Sequence, residues 1–115
     1  MPHVLIEYTV DSVNNQQLSE IMRVVYQAVA DSQLFNEDNI KLRAIAIQHY
    51  RLGNAGKGFI HVQSRIHQGR SDQQKQLLSE SILQALRSLS LALQVSTCEV
   101  VDMDRNSYCK HLNPL

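Results

Sequence analysis

Pro2 is the residue of this chain with the most chemical promise. Methionine is normally removed when so small a residue follows it, and loss of Met1 leaves a secondary amine at the terminus. An α-amino group titrates near about 7.7–8.0, closer to neutrality than any lysine. Apolar surroundings or nearby cations lower it further, because both disfavour the charged form. An amine poised near the working pH takes up a proton and returns it, as general acid–base catalysis requires. The proline ring also fixes the direction of its lone pair. Many unrelated chains begin Met-Pro, so Pro2 gains weight only from the residues that hold it.

A second group is cationic. Lys41 and Arg43 lie two apart in a strand-like run, so both leave the same sheet face, which continues into Ile45 and Ile47. Arg70 sits in Gly69-Arg70-Ser71, where a strand gives way to a helix and backbone N–H groups favour an anion. Arginine grips a carboxylate with two parallel hydrogen bonds. The bland alternative for Lys41 and Arg43 is a solvated charged edge. Other constellations are weaker. His49, His61 and His67 lack metal-ligand spacing, so no metal is expected. The cluster Gly53-Asn54-Ala55-Gly56-Lys57-Gly58 lacks the Gly-Lys-Ser/Thr of a phosphate loop and reads as a hairpin-like turn. Cys98 falls in a strand and reads as a small buried hydrophobe. No nucleophile elbow is present.

The elements that position these residues follow from periodicity. From His3 to Val10 apolar and polar residues alternate, with Val4, Ile6, Tyr8 and Val10 on one face. Pro2 is therefore held at the start of a strand rather than in a loose tail. Asp11, Ser12, Asn14 and Asn15 supply turn and cap chemistry. A helix follows, with Leu18, Ile21, Met22, Val25 and Val29 as its apolar stripe, ending near Asp31-Ser32. A connector, Gln33 to Asn39, leads to a second strand-like run from Ile40 to Arg51. Phe59 to Ile66 alternates again. Ser71 and Gln74 form a capping box that opens a second helix carrying Leu78, Ile82, Ala85, Leu86, Leu89 and Leu93. A last strand spans about Val95 to Met103, and the remainder reads as a tail.

The expected fold is therefore α/β in the two-layer α+β sense: two fused β-α-β units, about 2–52 and 58–105, in one domain over 1–115. Strand–helix–strand connections imply parallel pairing within each unit. One sheet with both helices on one face accounts for the apolar stripes. The other face carries Phe59, His61, Gln63 and Arg65, and a mixed face of this kind implies a homo-oligomer.

With 115 residues, 11 Lys plus Arg and 11 Asp plus Glu, the chain carries no net charge. That excludes the basic surplus of a nucleic-acid or anionic-membrane binder but leaves small anionic substrates open. No run is long and apolar enough to span a membrane, and no signal peptide is evident. Two cysteines make no disulfide framework, so a cytoplasmic protein with reduced thiols is expected.

The opening Pro2-His3-Val4-Leu5-Ile6-Glu7-Tyr8-Thr9 closely resembles that of the 5-carboxymethyl-2-hydroxymuconate Δ-isomerases, a tautomerase-superfamily family of aromatic-acid breakdown. Asn39-Ile40-Lys41-Leu42-Arg43 is similar to its second-strand motif, Gly69-Arg70-Ser71 to its Gly-Arg-Ser turn, and Glu99-Val100-Val101-Asp102 more loosely to its acidic last strand. The resemblance implies a tautomerase-like homotrimer with sheets inside and helices outside. It implies an isomerase that moves a proton between carbons of a small unsaturated 2-hydroxy or 2-oxo acid, with no metal or organic cofactor. Pro2 is then the acid–base catalyst, and Lys41, Arg43 and Arg70 bind the substrate. Lys41 departs from a family arginine, which keeps the charge and loses the planar grip. Two alternatives use the same fold: a non-catalytic trimeric binding protein, and a proline-dependent hydratase of unsaturated acids.

Overall fold

The computed structural model describes every residue except Ala55, so the centre of the glycine-rich turn lies outside the described residues. Four strands and two helices follow in the order β1 (Pro2–Thr9), α1 (Asn15–Asp31), β2 (Lys41–Ile47), β3 (Phe59–His67), α2 (Asp72–Arg87) and β4 (Val95–Met103). The sheet order is β2-β1-β3-β4. β1 and β3 pair antiparallel at the centre, and each edge strand runs parallel to its inner neighbour.

Alternation decides which side chains meet. Val4 and Ile6 of β1 and Ile60 and Val62 of β3 point to one face and are fully buried. Ile21, Val25 and Val29 of α1 and Leu78, Ile82 and Leu86 of α2 cover them in one cluster. Burial of each such side chain contributes about 1.5–3 kcal/mol. Both helices begin with a reciprocal capping box, Asn14 with Gln17 and Ser71 with Gln74.

Four expectations change. β1 ends at Thr9, and Val10 enters a short 3-10 turn instead of the core. β2 stops at Ile47 rather than Arg51, because it is an edge strand whose only partner ends there, Ile47 lying opposite Thr9. The segment between β2 and β3 is not a hairpin turn, since β1 lies between those strands. Gly58 in that segment has φ +117, a conformation L side chains rarely adopt, and its Cα faces the hydroxyls of Ser12 and Thr9. Finally, Leu89 and Leu93 lie beyond the end of α2, although both still pack on the core.

Candidate functional site

Pro2 is buried at the first position of β1, opposite Ile66 of the antiparallel β3. It lies on the face of Val4 and Ile6, so its ring joins the margin of the core while its nitrogen marks the end of the sheet. Met1 precedes it. The Met1 α-amino group is held below its usual pKa, first by partial burial and then by the charges of Lys41, Arg70 and Lys110. Lys41 lies opposite His3 on the neighbouring strand, and its Nζ is 3.3 Å from the Met1 sulfur and 3.5 Å from the Asn39 carbonyl. The start of the chain therefore lies among cations.

Arg70 is delivered by the turn between β3 and α2. Gly69 has φ +121, a turn that L side chains resist, and Ser71 caps α2. The Arg70 guanidinium donates from Nη2 to the Leu34 carbonyl at 2.7 Å and lies 5.1 Å from the centroid of the Phe35 ring. Those contacts fix its plane and leave further N–H donors for an anion.

Arg43 leaves the sheet on the face away from the helices, and its nearest polar partner is His3, with Nη1 3.3 Å from Nδ1. His3 Nε2 lies 2.9 Å from the Tyr108 hydroxyl. Tyr108 packs edge-on against His67, ring centroids 4.8 Å apart at 89°. The segment after β4 is thus no loose tail. Arg105 reaches back to Gln68, and Tyr108 reaches His3 across 105 residues of sequence. His3, His67, Tyr108 and Lys110 were not singled out by residue pattern for this site, because a single tyrosine or lysine in an aperiodic segment leaves no local signal.

His3 is held below the usual histidine pKa by burial and then by Arg43, Lys41, the chain terminus and Arg65. His67 is held down in the same direction, by burial and then by Arg105, the terminus, Arg70 and Lys110. Its Nδ1 is buried without a hydrogen-bond partner. The imidazoles near the terminus are therefore neutral at pH 7 and add no charge to the cations. Among the described residues no group of three His, Cys, Asp or Glu side chains is placed to hold a metal ion. A groove of about 700 Å³ between α1 and α2 contains none of these residues.

Comparisons with known proteins bear on the family and the fold. A family profile described as 5-carboxymethyl-2-hydroxymuconate isomerase matches residues 2–110. A search of curated proteins finds no match. Among solved structures, a 5-carboxymethyl-2-hydroxymuconate delta-isomerase superposes with a TM-score of 0.75 at 18% identity, covering 98% of this chain and 89% of that one. A 5-carboxymethyl-2-hydroxymuconate isomerase from Deinococcus radiodurans R1 gives 0.80 at 20% identity, covering 97% and 90%. A fused 4-OT protein, described as a symmetric trimer, gives 0.76 at 14% identity, covering 90% and 87%. At these identities the structural likeness speaks for the fold.

Proposed function

The chain belongs to the 5-carboxymethyl-2-hydroxymuconate isomerase family, and on that premise we propose that Pro2, freed by removal of Met1, is its general acid–base catalyst. The substrate is a small unsaturated 2-hydroxy acid of the 5-carboxymethyl-2-hydroxymuconate type. Pro2 takes the proton from the 2-hydroxyl group, leaving a dienolate, and returns a proton to a carbon at the far end of the conjugated chain, giving the 2-oxo isomer. Atoms and charge balance without metal or organic cofactor. Lys41 and Arg70 lie beside the terminus and stabilise the dienolate and the adjacent carboxylate as charge develops. Arg43, farther along the same strand as Lys41, holds a more distant carboxylate.

The observation that supports this most is the depressed pKa of the terminal amine, whose causes are partial burial, Lys41, Arg70 and Lys110. Those surroundings favour the free base of a proline nitrogen placed there over its charged form. We also propose a homotrimer acting in the cytoplasm in aromatic-acid breakdown. Its contact surface is the sheet face away from the helices, where Ile45 is 42% and Val95 40% exposed. The described helices include none long and apolar enough to cross a membrane.

Mass spectrometry of the mature protein and a spectrophotometric assay with 2-hydroxymuconate-type dienols test the mechanism. Pro2→Ala keeps an α-amine but loses the fixed secondary one, and about 100-fold slower turnover is expected. Equal rates for Pro2→Ala and the wild type, or full activity with Met1 retained, overturn the assignment. Binding of the dienol without turnover favours the non-catalytic reading. A product heavier by one water favours the hydratase.

A further inference from the structure

We infer that Tyr108 is a positioning residue for the terminal proline: the segment after β4 is a clasp that holds the start of β1 in place and brings Lys110 beside it. The inference rests on the reading of Pro2 as the base. It adds two residues from outside the strands and turns that supply the other site groups. The terminus needs such a clasp for a physical reason. Chain ends are poorly ordered unless something ties them down. Proline donates no hydrogen bond to a strand ladder, and a free-base amine must keep its lone pair clear for the substrate proton. The place of the Pro2 nitrogen is therefore set by the packing of its ring and by the residues beside it.

Tyr108 touches those residues on both strands. Pro2 pairs with Ile66, so His3 follows Pro2 on β1 and His67 follows its partner on β3. Tyr108 meets His3 through its hydroxyl, 2.9 Å from Nε2, and meets His67 through its ring, edge-on with centroids 4.8 Å apart. One side chain thus bridges the two strands diagonally across the Pro2–Ile66 pair. The direction of the His3 bond is fixed as well. A guanidinium only donates, so the 3.3 Å contact from Arg43 Nη1 makes His3 Nδ1 an acceptor. The His3 proton is then on Nε2, which donates to the Tyr108 oxygen.

The root of the clasp is tied down too. Arg105 donates from its backbone N–H to Gln68 Oε1 at 3.2 Å, and from Nε and Nη2 to the Gln68 carbonyl at 3.4 and 3.3 Å. Asp104 caps the short 3-10 turn between this anchor and Tyr108. Gln68 stands two residues before Arg70, so the same turn holds the clasp and delivers a site cation. Lys110 follows Tyr108 by two residues, a reach of at most about 7 Å along the backbone. Its charge accordingly bears on two groups at this end of the sheet, the Met1 amine and His67. Among the described residues the ion pairs are His61–Glu99, Lys75–Asp72 and Lys75–Asp102, so no carboxylate there neutralises it.

Two readouts on the processed full-length protein test the clasp, with light scattering to follow molar mass. Pro2 and Pro114 are the only prolines, so nitrogen NMR of proline-labelled protein titrates the Pro2 amine without substrate. Lys110→Met is expected to raise the pKa of that amine, and Lys110→Arg to restore it. Tyr108→Ala is expected to raise it as well, by releasing the segment. In turnover of a 2-hydroxymuconate-type dienol, Tyr108→Ala is expected to lower kcat about tenfold with little change in KM. Tyr108→Phe, which keeps the ring against His67, should lower it less. An amine pKa unmoved in both Lys110→Met and Tyr108→Ala would overturn the inference. So would wild-type kcat in Tyr108→Ala while Pro2→Ala is slow, or losses that follow a change in molar mass, which make Tyr108 a contact between copies. Failure of Pro2 as the base is told apart, because Pro2→Ala then turns over like the wild type while the amine shifts persist.

Discussion

Arg70 donates to the Leu34 carbonyl at 2.7 Å while its guanidinium lies 5.1 Å from the centroid of the Phe35 ring. One side chain therefore ties the turn before α2 to the connector after α1, and its charge helps to lower the pKa of the chain terminus. Lysine at this position keeps a positive charge but loses the planar fork. Arg70→Lys is expected to raise KM about tenfold with a smaller fall in kcat, measured by steady-state kinetics. Arg70→Ala should in addition lower unfolding stability by about 1 kcal/mol, a reduced figure because Arg70 is only half-buried. An unchanged KM in Arg70→Lys would show that Arg70 is structural.

The two neutral histidines make a statement about stability. Both His3 and His67 are held below the ordinary value of 6.5 in the folded protein. As pH falls through 6.5 the unfolded chain takes up these protons first, so it is favoured. Stability is therefore full above about pH 6.5 and declines as pH falls toward the folded values. Urea midpoints at pH 7.5 and 5.5 should show this decline, and His67→Asn should flatten it. An equal decline in His67→Asn would place its cause elsewhere.

Much of this arrangement was readable in the sequence where a local rule dictated it. The alternation after Pro2, the pairing of Ser71 with Gln74 and the run Val95–Met103 each carry their own period or cap. The bounds of β2 carried no such rule, because an edge strand ends where its partner does, at Thr9 and Ile47. The turn before β3 read as a hairpin because local glycines do not reveal that β1 is inserted between the strands they join. Lys41, Arg43 and Arg70 were each visible by type, yet the structure divides them. Lys41 and Arg70 bear on the chain terminus, and Arg43 bears on His3. Tyr108 was out of reach of any pattern, since its contact with His3 spans 105 residues.

The two thiols should differ sharply in reactivity. Cys98 lies on the helix side of β4 opposite Val62, and burial, followed by the charge of Glu99, pushes its pKa up to about 12. At pH 8 only about one molecule in 10,000 then carries that thiolate. Cys109 is exposed. A thiol-disulfide reagent such as Ellman's should label one cysteine of the folded protein quickly and the second only in denaturant. Peptide mapping should place the fast label on Cys109. Rapid labelling of Cys98 in the folded protein would contradict its packing.

Lys41 is the residue on which substrate range turns. Its ammonium reaches the start of the chain, with the Met1 sulfur at 3.3 Å, and its charge is the first electrostatic contribution to lowering the terminal pKa, after burial. Those two roles separate by substitution. Lys41→Arg keeps the charge and adds a planar pair of donors, so KM for a 5-carboxymethyl-2-hydroxymuconate-type acid should fall, by about tenfold where the fork engages fully, with the pH profile unchanged. Lys41→Met removes the charge, so the protonated terminal amine is less disfavoured and its pKa rises. The acid limb of kcat/KM must then move to higher pH, which pH-rate profiles of the two variants measure directly. A profile that stays fixed in Lys41→Met would mean that the amine it tunes is not the base.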